Sequence, residues 1–485
     1  MTQWSTQPGR QMLEGSIRNF FAEALFPLTA LVMAAFLTRR LGPDGYGLLV
    51  LAVTLIVWIE WSLNSVFSRA TIKYVGETKD WQAIGVATAN LQLMVGTGAM
   101  VIVWVAAVPL SRVLNEPDVA RYLCLLSLDI PIFSLVQAHR HILTGIGAFG
   151  PCAAVSAGRS VARLVLTVLL VEVGLSIDGA ILGTIGASVV EFTIARRAVQ
   201  PALFRRVFIA EWPLWDYAFP LFFSAVSVNC LVRLDLFALK ALGGTAVQAG
   251  LYGAAQNLAL LPGLVGTAVL PFLLSTLSRV LSTGDAPLGK ELGRNAMRVA
   301  LYLLPVAAVV AGASEEIVVF FFGELFDLSA PILAILITGS VAVLVMTVAI
   351  TILIAIGNPR VALALTAPLV PIALVGHLIA IPRWGASGAA TVTTLLGTAG
   401  AVAAVWTVYR LWDLAPPAGT LWRSLVIAAL IFGFSLVWPV VGILILAKLL
   451  VAGVLIVLAY LALGEFSAEE MALGRNLLKQ RIIPA

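Results

Sequence analysis

Residues 39–47, Arg39-Arg40-Leu41-Gly42-Pro43-Asp44-Gly45-Tyr46-Gly47, open an apolar run from Leu48 to Val57. About two hundred residues later Leu239-Lys240-Ala241-Leu242-Gly243-Gly244 leads into Gly250-Leu251-Tyr252-Gly253 and another such run. A second pair recurs at a similar offset. Leu143-Thr144-Gly145-Ile146-Gly147 matches Ile354-Ala355-Ile356-Gly357, and Ile177-Asp178-Gly179-Ala180 matches Ala386-Ser387-Gly388-Ala389. Two related halves inside a very apolar chain point to a two-lobed transporter with its path between the lobes.

Outward from these repeats, composition sets the class. Of 485 residues 60% are hydrophobic and 11% charged, with a mean hydropathy of +1.02. A soluble chain carries about 25% charged residues. Lipid supplies no hydrogen bonds to the backbone, so spanning segments are helices or closed barrel strands. The apolar windows are near the ~20 residues a helical span needs, and lack the alternation of ~10-residue barrel strands. The expectation is an all-α polytopic membrane protein with about 14 transmembrane helices: two pseudo-symmetric six-helix lobes and two further C-terminal helices. Spans are expected near 15–38, 46–68, 83–109, 121–143, 152–173, 177–196, 215–239, 248–274, 297–320, 329–356, 360–380, 386–409, 422–439 and 441–463. The lobes are then 1–196 and 215–412, joined by the basic linker 197–214. The two extra helices occupy 413–464, and 465–485 form a short tail helix.

The loops alternate in charge. One set holds Arg69, Lys73, Lys79, Arg140, Arg196, Arg197, Arg205, Arg206, Arg279, Lys290, Arg294, Arg298, Arg360, Arg410, Arg423, Arg475, Lys479 and Arg481. The other holds Arg39, Arg40, Arg112, Arg121, Lys240 and Arg383, and is about three times poorer in Lys and Arg. The positive-inside rule places the richer set and both termini in the cytoplasm. It also accounts for the net charge of +5 without nucleic acid as a partner. No cleavable leader pattern is visible at the N-terminus. Cys124, Cys152 and Cys230 are scattered and read as small core residues.

Several literal motifs lack their structural context. Gly145-Ile146-Gly147-Ala148-Phe149-Gly150 spells GxGxxG, yet lies between two membrane spans instead of after a strand. Gly284 to Glu291 approaches a P-loop but ends in Glu291 where a Ser or Thr should hold magnesium, and reads as a cytoplasmic loop. His139-Arg140-His141 lacks a third ligand and reads as the end of a cytoplasmic loop. No metal set and no cofactor is expected.

The order of these signatures resembles the oligosaccharide flippase family, the polysaccharide and O-antigen type, of the multidrug/oligosaccharidyl-lipid/polysaccharide exporter superfamily. The resemblance rests on Arg39 to Val50 (RRLGPDGYGLLV), Trp212 to Val226 (WPLWDYAFPLFFSAV), Ala249 to Pro262 (AGLYGAAQNLALLP), and ILIAIGNPR with IPRWGASGAATVTTL further on. It covers most of residues 15–412. It implies a central cavity, often cationic, and movement of a polyprenyl-diphosphate-linked oligosaccharide across the inner membrane by alternating access. It also implies membrane lipids and a polysaccharide polymerase as partners. The family has no invariant site residues to carry over.

Charges inside the spans supply the candidates, because a charge near the bilayer centre costs several kcal/mol unless it meets a partner or a wet cavity. Asn229, Arg233 and Lys240 fall at helical spacing on one face of the seventh span. Arg233 reads either as a diphosphate contact, since a guanidinium forks onto such oxygens, or as half of a structural ion pair. Asp235 points elsewhere and has a partner on another span in the structural reading. Lys240 reads as a snorkelling residue at the far interface. Arg163 and Asn64 complete the cavity candidates with Arg233 and Asn229. Glu23, Glu60 and Asp235 are the ion-coupling candidates. Arg159 reads as interfacial, His377 as a packed histidine, and Lys448 as a lone charge in the last span. Two rivals remain: a cation-coupled multidrug extruder of the same superfamily, and a non-transporting membrane scaffold of a polysaccharide synthase.

Overall fold

The computed structural model describes residues 7–77, 81–202 and 215–466, and among these there is no strand. Side chains of residues 7–24 lie outside the described set, as do the linker positions 203–214 and most of the expected tail helix, 467–485.

The helices follow one another in short steps. They are α1 (Gln7–Glu77), α2 (Gln82–Val113), α3 (Pro117–Leu126), α4 (Asp129–Gly145), α5 (Phe149–Leu170) and α6 (Ser176–Ala198). After the linker come α7 (Trp215–Ala241), α8 (Ala246–Ala259), α9 (Leu261–Ser282), α10 (Ala286–Leu301), α11 (Leu303–Gly312), α12 (Ser314–Phe322), α13 (Ala330–Ala355), α14 (Pro359–Thr366), α15 (Leu369–Trp412), α16 (Ala418–Val437) and α17 (Leu444–Ala462). Ten helical stretches among the described residues are long and apolar enough to cross a membrane. The chain is therefore a multi-pass membrane protein. Three of the stretches, Leu28–Asn64, Gly150–Ala198 and Pro359–Trp412, contain the backbone breaks at Gly42, Gly174 and Gly385. Counting each of these as two, and adding α7, is compatible with the fourteen spans expected.

The break at Gly42 has a local cause. Pro43 disfavours helical dihedrals in the residue before it, and glycine accepts the resulting φ of +67° where a Cβ would be strained. The repeated signatures also share backbone behaviour. Gly147 and Gly357 both adopt positive φ, +76° and +86°, and end their helices in the same way. A Cβ on Gly179 would lie 2.8 Å from the Leu170 carbonyl oxygen, and one on Gly388 would lie 2.5 Å from that of Ala380.

Contacts divide the chain into two compact units, residues 1–261 with 359–393 and residues 262–358 with 394–485. In the first unit, Val136, Ile142 and Leu143 of α4 pack with Cys152 and Val155 of α5 and Ala195 of α6. In the second, Ile427 and Ile431 of α16 pack with Ala452, Ile456 and Tyr460 of α17 and Val309 of α11. Lys448 is not a lone charge: it is fully buried and donates to Glu316 at 2.7 Å.

Just past α17 the carboxylate of Glu465 gathers four side chains of the second unit. It accepts from Arg298 at 3.2 Å, Tyr302 at 3.1 Å, Arg423 at 2.6 Å and the Thr420 hydroxyl. Burial alone would push this carboxyl up; the hydrogen bonds from Thr420, Arg423 and Tyr302 and the charge of Arg298 outweigh it and hold the group below the ordinary glutamate range. A carboxyl depressed in the folded state stabilises above its unfolded pKa and loses that contribution as pH falls through the folded value. Thermal unfolding in detergent should therefore show Glu465→Gln less stable than the parent at pH 7, by about 1–3 kcal/mol. The gap should close as pH is lowered through and below the glutamate range. A gap constant with pH would show that the carboxylate's charge is not what holds α17.

Candidate functional site: a buried charge cluster in the first unit

Helices α1, α4, α5 and α6 each contribute charged side chains to one buried cluster. Glu60 comes from the segment of α1 after Gly42, Asp129 from the first turn of α4, and Glu191 from α6. Arg159 and Arg163 stand four residues apart on α5, and so on one helix face. Helices α5 and α6 approach closely enough for short pairing, since a Cβ on Gly183 would lie 2.7 Å from the Thr167 Cα.

Arg159 is the centre of this cluster. It donates to Glu191 at 2.9 Å, stands 3.9 Å from Asp129, and lies over the Phe133 ring at 4.7 Å. It is thus largely enclosed, with 14% of its side chain exposed, and paired, where the sequence reading put it at the interface. The cause is Glu191, which has no exposed surface and holds the guanidinium inside the bundle. Arg163, Asp129 and Glu191 lie close enough for Glu60 to feel their charges. The count is three carboxylates to two guanidiniums. One oxygen each of Glu60, Asp129 and Glu191, and the Nε of Arg163, have no hydrogen-bond partner among the described residues. Buried groups of this kind are costly unless water, an ion or a ligand meets them.

Two clefts adjoin the cluster. One, a narrow solvent-open cleft, is lined by Glu60, Asn64, Gln92, Phe133, Ser134 and Gln137. The other, equally narrow, is lined by Thr29, Met33, Ser160 and Arg163. Asn64 is half-buried, and its Oδ1 has no partner among the described residues. Glu60, Asn64 and Arg163, singled out separately from sequence, are thus brought together. Asp129, Glu191, Gln92 and Gln137 were missed. A carboxylate well inside each of the fourth and sixth apolar windows was the signal for the first two.

The seventh-span candidates form a separate group. Asp235 is fully buried and accepts from Tyr252 at 2.6 Å, Gln256 at 3.1 Å, Thr393 at 3.1 Å and the Leu236 amide at 2.7 Å. It ties α7 to α8 and α15. Arg233 is half-buried beside it and reaches Gln256 at 3.5 Å. Asn229 is exposed. Lys240 is not a snorkelling side chain: it is buried and donates to Glu116 at 2.7 Å and to the Gly244 carbonyl at 2.8 Å. The side chain of Glu23 lies outside the described residues.

The histidines also differ from expectation. His139 and His141 sit inside α4 instead of ending a loop. Both are buried; His139 Nδ1 is 2.7 Å from the Leu135 carbonyl and His141 is 3.5 Å from Gln92. His377 is buried with neither ring nitrogen partnered among the described residues. No group of three or more metal-ligating side chains occurs among the described residues.

A sequence model of the family described as polysaccharide biosynthesis protein matches residues 36–331, more than half of the chain. The chain belongs to this family. The matched stretch contains Glu60, Asp129, Arg159, Arg163, Glu191, Arg233 and Asp235. No curated protein matches in sequence. Among solved structures, the lipid II flippase MurJ in an inward closed conformation is similar at 16% identity, covering 96% of this chain and 100% of that one, with a TM-score of 0.74. An inward-facing multidrug resistance MATE family transporter of the MOP superfamily is 15% identical, covering 81% and 98%, with a TM-score of 0.67. A MOP superfamily transporter from Pyrococcus furiosus, whose structure is described as showing reversed polarity of the binding pocket, is 15% identical over 84% and 96%, with a TM-score of 0.64. This member of the polysaccharide biosynthesis family thus has the fold of the MOP superfamily transporters.

Proposed function

We propose that the protein is an inner-membrane flippase that moves polyprenyl-diphosphate-linked oligosaccharide by alternating access, with both termini in the cytoplasm. The carrying observation is cationic: the half-buried Arg163 guanidinium lines a cleft with the hydroxyl residues Thr29 and Ser160, and its Nε has no partner among the described residues. A half-buried fork whose Nε has no partner among the described residues suits a diphosphate better than a neutral or cationic drug. Arg233, which reaches Gln256 at 3.5 Å, is the matching candidate on α7, with Asn229 and Asn64 as polar contacts for the sugar. Glu60, whose Oε1 has no donor among the described residues, is the coupling carboxylate. Its bare oxygen beside Asn64 and Gln92 is also what favours the cation-coupled extruder as a second reading.

Purified protein in vesicles with a labelled polyprenyl-diphosphate saccharide tests this. Arg163→Ala and Arg233→Ala should each lower translocation about 10- to 100-fold, the worth of a lost charge-assisted hydrogen bond. The Lys variants should recover only part, because an ammonium keeps charge without the fork. Full translocation by both stable Ala variants would remove these arginines from the path. Movement of cationic drugs and not of the lipid would establish the extruder, and movement of neither would establish the scaffold.

A further inference from the structure

Ion pairs stitch the end of the first unit that carries residues 40–47, 112–121, 172–178 and 240–246, and three of them are described. Two lie within the first sequence half: Arg40 with Glu172, and Arg121 with Asp178. Their arginines are largely exposed, and nothing in them opposes separation of the halves. The third, Lys240 with Glu116 at 2.7 Å, joins α7 of the second half to the turn before α3 of the first. Its lysine is only 3% exposed, and its other acceptor is a carbonyl of its own loop.

Two further contacts cross between the same halves beside this pair. Helix α8 lies against the segment of α1 after Gly42 with no room for side chains. A Cβ on Gly47 would meet the Ala246 carbonyl oxygen at 2.0 Å, and one on Gly250 would meet that of Pro43 at 2.0 Å. Two turns further along α8, Asn257 donates to the Tyr46 hydroxyl at 2.7 Å. These are the two copies of the repeated glycine-tyrosine signature, seated on one another. Small residues let backbones approach in this way, and the contact is lost as a unit when the helices part.

We infer that Lys240–Glu116 is the electrostatic latch of a gate at this end, seated on the Gly47–Gly250 crossing, and that the gate opens by its rupture. The inference rests on the proposed alternating access and orientation, in which this end faces the exterior. A desolvated lysine with one carboxylate partner is a discrete two-state contact: paired when closed, hydrated when open. The glycine crossing supplies the close fit that excludes water from the pair while it is closed.

The test reads accessibility and not transport, so it stands apart from the identity of the substrate. Ala246→Cys is introduced beneath Gly47 in a chain whose native cysteines are Ala, in right-side-out vesicles, with an impermeant maleimide outside. Glu116→Lys and Lys240→Glu should each raise the labelling rate at least about tenfold, and the exchanged pair Glu116→Lys/Lys240→Glu should return it towards the parent. Gly250→Leu should raise it whatever the charges. If the reversed variants do not reach the membrane, Glu116→Gln and Lys240→Met take their place with the same expected direction. Labelling equal to the parent in the single variants, or no return in the exchanged pair, overturns the latch. Labelling only from the inside overturns the orientation while leaving the contact standing, and a failure of lipid translocation with normal latch behaviour bears on the flippase reading alone.

Discussion

Arg159→Ala should fail to accumulate in the membrane. The substitution leaves Glu191 and Asp129, 0% and 1% exposed, without the guanidinium that stands 2.9 Å and 3.9 Å from them. Removing one partner of a buried pair costs about 3–5 kcal/mol because the remaining charge is uncompensated. That is a large share of the ~5–15 kcal/mol by which domains are stable. Arg159→Met/Glu191→Met removes both members and keeps volume, and should restore most of the protein. Membrane abundance and detergent unfolding temperature measure both. If Arg159→Ala is as abundant and stable as the parent, water reaches these carboxylates and the cluster is a solvated site, not a buried brace. If the double variant is stable and inactive, the cluster has a transport role beyond holding α4, α5 and α6 together.

What could be read from the chain divides along a physical line. Spans were legible because each needs only a local property, about 20 apolar residues in succession. The break at Gly42-Pro43 was also local, being set by two adjacent residues. Ion pairs were not legible. Glu191 is 32 residues from Arg159, Glu116 is 124 from Lys240, and Glu316 is 132 from Lys448. A lone lysine in an apolar window has the same local sequence whether it snorkels or pairs, and only packing decides. The histidine pair went astray for a related reason. His139-Arg140-His141 looks like the polar end of a span, but α4 continues to Gly145 and packs both rings inside. Glu60 and Arg163 stood out in the sequence as charges inside apolar spans. That they share one cluster depends on the α1 and α5 faces that meet, which helical periodicity alone does not specify.

Asp235→Ala should be at least as damaging as loss of Arg159, for a different reason. The carboxylate accepts four hydrogen bonds, from Tyr252, Gln256, Thr393 and the Leu236 amide. Each buried donor left without an acceptor costs about 1–3 kcal/mol. Three of them are side chains on α8 and α15, so their loss loosens α7 from both neighbours. Asp235→Asn separates charge from geometry. Its Oδ1 can still accept from Gln256 and the Leu236 amide, while its amide nitrogen donates to the Tyr252 and Thr393 hydroxyl oxygens once they turn to accept, so the bonds persist without the carboxylate's charge. If Asp235 is a packing group, Asp235→Asn should unfold at a temperature between Ala and the parent, and translocation by the surviving protein should be near normal. If Asp235 is an ion-coupling group, Asp235→Asn should be nearly as stable as the parent, should translocate poorly, and should lose any response to an imposed ion gradient. The four donors already in place favour packing, because an incoming cation would have to displace hydrogens that point at the carboxylate. The hydroxyls of Tyr252 and Thr393 can turn their lone pairs towards a cation, whereas the Gln256 and Leu236 N–H groups cannot. Tyr252→Phe removes the shortest of these bonds while keeping the ring in place. It should cost about 1–2 kcal/mol under the packing reading, and under the coupling reading it should change the ion response more than the stability.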